Sequence, residues 1–448
     1  MSDPEAAPPT PPTSTSTSTS TRALREFLGT EAAGGMVLLL ATAVALVWAN
    51  SPWSASYERL WHTEAVVGVG RWQLALDLRH WVNDGLMAVF FLVVGLEVKR
   101  EFLQGELRDR RKAALPIVAA IGGMAVPALL YTVWNAGGDA ASGWGIPMAT
   151  DIAFALGVLA VVAPGLPGSL RIFLLALAIV DDLGAIAVIA VFYSGSLEWE
   201  WLAAAAAITV VVYVVRQLGV GWTWVIAGLG VALWIAVHAS GVHATIAGVV
   251  MGLLAPASPR LTREIALSRG DELLDVFTPA AARQTSRLAR LSVSELEWIQ
   301  HALHPLSSLF IVPVFALANA GVVFTSDGLR DAASSPVAIG VLAGLVVGKT
   351  LGITGAAWIA ARTGIAELPS DARWRDLAGV AALGGIGFTV SLFITDLAFD
   401  DESAVTEAKM GILAAAVVAT LLAAALLRLG RGPTPGASNG QASPLASE

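Results

Sequence analysis

The 448-residue chain is 56% hydrophobic and 14% charged, against about 25% charged in an ordinary soluble domain, which excludes a soluble multidomain protein and places the chain in a bilayer. Its net charge of -8 is no argument for a nucleic-acid partner, because the charges are sorted by loop, and none is expected. With no cysteine, disulfides, thiolate metal centres and cysteine nucleophiles are excluded.

In chain order, residues 1–21 are Pro-rich and then alternate Ser and Thr. This composition predicts a disordered cytoplasmic tail and lacks the basic and apolar regions of a signal peptide. Hydropathy then predicts an all-α polytopic membrane domain over 22–431, with about 12 spans near 32–50, 82–104, 113–135, 143–163, 168–194, 199–216, 221–239, 242–256, 302–323, 335–361, 376–398 and 407–428. Residues 51–81 form a loop in which Val66, Val67 and Val69 face Leu74, Leu76 and Leu78 across Gly70-Arg71. This is either a small β-hairpin or an irregular loop. Residues 257–299 are a long polar connection with six arginines, read as a lipid-facing cytoplasmic segment with one surface helix around Leu273–Phe277. Residues 432–448, rich in Gly, Pro and Ser, read as a second cytoplasmic tail. Alternating loops between two sides puts 21 of the 27 lysines and arginines on one side and five on the other. Such a split implies an inner membrane, both termini cytoplasmic and 51–81 outside.

The chemistry lies in the ionisable groups that cannot leave the spans. Asp181 and Asp182 are central to the fifth, Thr150 and Asp151 to the fourth, and Lys349 to the tenth. Each central charge costs at least ~2.5 kcal/mol on insertion scales unless paired, neutralised or hydrated. A structural pair of Lys349 with one aspartate would leave two carboxylates unexplained, and buried pairs stabilise poorly. Adjacent aspartates differ by about 100° around a helix, so both can border one cavity without pointing the same way. One can ligate a hard cation while its neighbour pairs with Lys349 and exchanges a proton. A proton and a small cation then compete for the same oxygens, and a site exposed alternately to each side performs antiport.

The backbone is expected to break beside these charges. Gly384, Gly385 and Gly387 crowd the middle of the eleventh span and Pro147 precedes Asp151 in the fourth. Each glycine disfavours a helix interior by about 1 kcal/mol relative to Ala, although glycines also serve close helix packing. Interrupted helices at mid-membrane line ion sites, and opposed half-helix dipoles call for an acid at their N-termini, here Asp151, and a base at their C-termini, here Lys349.

With these motifs in order, NDGLMAVFFLVVGLEVKRE (83–101), ATDIAFALGVLA (149–160), ALAIVDDLGAIAVIAVFY (176–193), SGVHATIAG (240–248), FALANAGV (315–322), GKTLGI (348–353) and GGIGFTVSLFI (384–394), the chain resembles the NhaA sodium/proton antiporters from about residue 25 to 428. The resemblance implies inverted repeats with two interrupted helices crossing at mid-membrane. It implies Asp181 and Asp182 as the cation- and proton-binding pair, Asp182 being the direct Na+ ligand and Asp181 the partner of Lys349. Thr150, Asp151, Lys349, Gly384, Gly385 and Gly387 would serve the helix crossing and its charge compensation. Asp84, Glu97 and Glu101 would be acids of the cytoplasmic funnel and pH response, with His243 also associated with pH response. A homodimer through a hairpin at 65–78 is implied too. The chain departs from the family pattern at Gln300, where Glu is common ahead of the HxLHP segment.

The expected function is exchange of cytoplasmic Na+, and Li+, for external protons by alternating access, with no enzymatic activity and no cofactor. The alternative is a proton-coupled symporter of a small solute, which would need a larger pocket than these small apolar residues supply. A GxGD protease motif and a DDxxD diphosphate motif are both missing, since GGIGF carries no aspartate and Ala185 stands where a third acid would be needed.

Overall fold

A computed structural model describes residues 16–69, 72–218, 223–259, 288 and 292–428. Most of 257–299, with the expected surface helix, and all of 432–448 lie outside them. The first helix, α1 (Ser16–Ala49), begins inside the segment expected as a loose tail. The chain then turns through α2 (Ser54–Trp61), and Val66, Val67, Leu74 and Leu76 lie in two antiparallel strands, β1 (Glu64–Val69) and β2 (Trp72–Asp77), with Glu64 opposite Asp77. Of the two sequence readings of this loop, the hairpin is the one present.

Helix α3 (Leu78–Gln104) leaves the hairpin directly. Asp77 caps it by accepting the His80 amide at 2.7 Å, which satisfies a first-turn donor. Next come α4 (Arg110–Trp134), a 3-10 segment (Asp139–Met148), α5 (Ile152–Val162) and α6 (Gly168–Phe192). A group of shorter elements follows: α7 (Trp199–Gln217), α8 (Thr223–Ala239) and α9 (Thr245–Leu253). The remainder is α10 (Glu295–Asn319), α11 (Ser326–Ser334), α12 (Pro336–Arg362), α13 (Trp374–Leu383), α14 (Phe388–Ala398) and α15 (Glu402–Arg428).

Among the described residues seven helices are long and apolar enough to cross a membrane, and ten if each of three bent pairs is one span. Helix α9, at nine residues, rises only about 14 Å, too short for ~30 Å of hydrocarbon. The expected single span 143–163 is a bent pair, the 3-10 segment meeting α5 at 51°, and α13 meets α14 at 47°. A helix, a bent pair and a helix therefore occur twice in sequence, first as α4 to α6 and again as α12 to α15. Helix α4 packs along α12, and α3 along α9. Three π-helical turns interrupt long helices at Trp81–Leu86, Ser307–Ile311 and Gly344–Gly348. Such turns gather at functional positions.

Candidate functional site

The two bends meet. Ala149 and Asp151 are in extended backbone, so after Pro147 the chain cannot continue as a helix. The amide of Asp151 donates to Ile386 O at 2.7 Å, and Thr150 Oγ1 donates to Gly384 O at 2.8 Å, taking up a carbonyl at the C-terminal end of α13. The glycines at the second bend permit this approach. A Cβ on Gly385 would collide with Leu345 O, and one on Gly387 would stand 2.7 Å from Ala149 O. Both readings of the glycine cluster thus hold at once, a broken helix and a close packing.

Asp151 serves two helix starts with one carboxylate. Its Oδ1 accepts the Phe154 amide at 2.9 Å, and its Oδ2 accepts the Thr389 amide at 3.0 Å and the Thr389 hydroxyl at 2.7 Å. The first-turn donors of α5 and α14, otherwise orphaned, converge on a negative group where both helix dipoles are positive.

On α6, Asp181 and Asp182 are both buried and diverge as their spacing requires. Asp181 Oδ2 accepts a hydrogen bond of 2.5 Å from Lys349 Nζ, and both side chains are fully enclosed. Lys349 reaches it from α12 immediately after a π turn. Asp182 instead borders a cavity of about 60 Å³, with Thr150, Asp151 and Thr389 from the two bends, Glu97 from α3, and His304, Ser307 and Ser308 from α10. Its Oδ1 is buried without a hydrogen-bond partner among the described residues, in contrast to Asp151. Buried carboxylate oxygens are nearly always satisfied, so an orphan at a polar cavity is a candidate ligand; Asp181 Oδ1 is orphaned too, but Asp181 does not line the cavity.

A second cavity, of about 470 Å³, is lined by Glu101, Glu106, Arg108, Asp109 and Lys112 among others. Leu175 borders both cavities, so the larger lies beside the smaller. Glu97, in the lining of the smaller cavity, is held by α10, with His304 Nε2 at 3.8 Å and Gln300 Nε2 at 3.5 Å. Arg100 Nη1 donates to Gln300 Oε1 at 3.2 Å.

Asp84 does not belong with Glu97 and Glu101, and its assignment to a shared cytoplasmic funnel is corrected. Thirteen residues of one helix separate Asp84 from Glu97, about 20 Å of rise. Asp84 lies at the hairpin end, where its carbonyl accepts Trp234 Nε1 at 2.8 Å and its carboxylate lies 3.8 Å from His238 Nδ1. His243 is on this side too, with Nε2 2.6 Å from the carbonyl of Tyr193 at the C-terminal end of α6.

Sequence reasoning assigned no role to Thr389, His304, Ser307 or Ser308. Thr389 stood in a quoted motif, but its contact with Asp151 crosses 238 residues. The serines reach the cavity through a π turn that no periodicity announces. Among the described residues no cluster of three or more His, Asp or Glu is arranged to hold a resident metal ion.

The sequence matches the Na+/H+ antiporter 1 family over residues 25–427. It is 48% identical to Na+/H+ antiporter NhaA 3 of Frankia alni over 91% of this chain and 88% of the relative. Identity is 47% with Na+/H+ antiporter NhaA of Oleidesulfovibrio alaskensis, covering 92% and 95%, and 46% with that of Rhodopirellula baltica, covering 91% and 93%. A family match over most of the chain, joined to the long apolar helices, identifies a multi-pass membrane protein that belongs to the Na+/H+ antiporter 1 family.

Proposed function

We propose that the chain is a secondary active transporter of a bacterial cell membrane that exchanges cytoplasmic Na+, and also Li+, for external protons. The observation that carries this reading is the buried, unpartnered Oδ1 of Asp182 beside a cavity whose other side-chain oxygens belong to Glu97, Thr150, Asp151, Thr389, Ser307 and Ser308. An oxygen-rich pocket of this kind suits a hard monovalent ion, which would be cargo and not a resident cofactor. Asp181 is the second proton-exchanging group. It can carry a proton, or contribute to the ion, only when its bond to Lys349 breaks, so the pair couples occupancy to protonation. A volume of about 60 Å³ has room for an ion with a water or two and argues against symport of an organic solute.

In this reading the two bent pairs are two half-crossed spans, the triplets α4 to α6 and α12 to α15 are inverted repeats, and twelve segments traverse or enter the membrane. Both termini and the larger cavity at Glu101 face the cytoplasm, the hairpin faces outside, and two copies associate through it. Glu97 and Glu101 act on ion entry and pH response, while His243 acts from the outer side. Motion of the triplets against the remaining helices exposes Asp182 to each side in turn.

The test is transport by the purified protein in proteoliposomes, following internal pH after Na+, Li+ or K+ addition. Na+ and Li+ should drive proton movement in the unaltered protein, and Asp182→Asn should abolish it in protein that remains folded, because an amide keeps the shape but cannot exchange a proton. Near-normal exchange in Asp182→Asn overturns the assignment.

A further inference from the structure

Three helices that line the small cavity carry the same layered order toward the hairpin end. On α14, Thr389 borders the cavity, Phe393 follows one turn on and Asp396 one turn further. On α10 the order is Val312, Phe315, Asn319, and on α3, which runs the other way, Val94, Phe91, Asn83. Steps of three and four residues on α10 and α14, and a step of eight that ends inside a π turn on α3, keep each set on one helix face.

The middle layer is closely packed. Phe91, Phe315 and Phe393 are all buried, with ring centroids 5.6 Å apart for Phe91 and Phe393 and 6.3 Å for Phe315 and Phe393. The outer layer is a connected set of polar side chains. Asn319 Nδ2 donates to Asn83 Oδ1 at 2.8 Å, Asn83 Nδ2 donates to Asp396 Oδ2 at 3.1 Å, and Lys409 Nζ of α15 lies 3.1 Å from Asp396 Oδ1. These links differ in what they join. Asp396 and Lys409 lie in one triplet, whereas Asn83 and Asn319 lie on helices outside both. Any movement of the triplets against the other helices therefore has to break the Asn83–Asp396 bond, and can leave the Asp396–Lys409 and Asn83–Asn319 links intact.

We infer that the phenylalanine layer and the polar layer above it form the outer gate, and that the Asn83–Asp396 hydrogen bond is its latch. Resting on the antiport reading above, this assigns work to residues that the ion site does not use. The charge on Asp396 is held by Lys409 in both states, so the latch opens without stranding a partly buried carboxylate. The bond to Asn83 is a single charge-assisted contact, weak enough to reverse during turnover.

The chain has no cysteine, so a single introduced thiol reports access. With Val94→Cys below the phenylalanine layer as reporter, a membrane-impermeant maleimide is added to right-side-out or inside-out membrane vesicles. Asn83→Ala and Asp396→Ala are each compared with the otherwise unaltered reporter protein. Both should raise the labelling rate from the outer face about tenfold, the shift in open population that follows loss of one such bond. Labelling from the inner face should not rise. An unchanged outer rate in both variants, or an equal rise from both faces, overturns the latch. If neither variant yields protein that runs as one gel-filtration peak, the cluster is a structural staple, which overturns it as well. If the unaltered protein moves no protons on Na+ addition, the antiport reading fails whatever the labelling shows.

Discussion

Replacing Asp151 separates a capping role from a ligand role. Its carboxylate accepts three hydrogen bonds, one at the start of α5 and two from Thr389 at the start of α14. Loss of one helix cap costs about 0.5–2 kcal/mol, and the buried donors left behind add to it. Asp151→Ala should therefore lower stability by about 3 kcal/mol, and Asp151→Asn by roughly half as much, since its one acceptor oxygen can serve one helix start but not both. Thermal unfolding of detergent-purified protein, paired with Na+ and Li+ exchange in proteoliposomes, reads both effects. The expected result is a graded loss of stability and turnover, Ala worse than Asn, with the ratio of Na+ to Li+ transport unchanged. A changed ion preference at unchanged stability would refute the capping argument and make Asp151 a primary ligand.

Asp181→Asn should impair exchange severely yet leave residual transport, because Lys349 loses its partner while Asp182 keeps its cavity; full activity would sink the coupling role of the pair. Gln300→Glu should shift the midpoint of the pH–rate profile and leave the maximal rate nearly unchanged, since the new carboxylate would stand beside Glu97 and Arg100 and does not touch the aspartates. An unmoved midpoint at saturating Na+ would mean that this position is neutral. Gly385→Ala should destabilise the fold by about 1–3 kcal/mol through overpacking, because its Cβ would meet Leu345 O, a backbone atom that cannot swing aside; an unchanged melting midpoint would contradict this.

The charges and the bends were legible for the same reason. A charge in the middle of an apolar span is costly unless something offsets it, so Asp151, Asp181, Asp182 and Lys349 announced themselves, and glycine and proline beside them marked where helices stop. Details that depend on pairing across the chain were not legible. The Thr389 hydroxyl is one of many in the sequence until α14 is laid against Asp151, and the π turns carry no compositional mark. The misplacement of Asp84 has a different cause. Its motif runs unbroken from 83 to 101 within one expected helix, and 1.5 Å per residue already separates its two ends by about 27 Å. Family resemblance grouped these acids by role, and the helix separates them by distance.

In the proposed cycle one buried carboxylate, Asp182, holds either Na+ or a proton. Initial exchange rates measured across Na+ concentration at a series of pH values test it most directly. Competition at Asp182 requires the apparent KM for Na+ to fall about tenfold for each proton displaced per unit of rising pH on the acid side, at a constant maximal rate. A KM that stays fixed while the maximal rate changes with pH would contradict the account and place proton control away from the ion site.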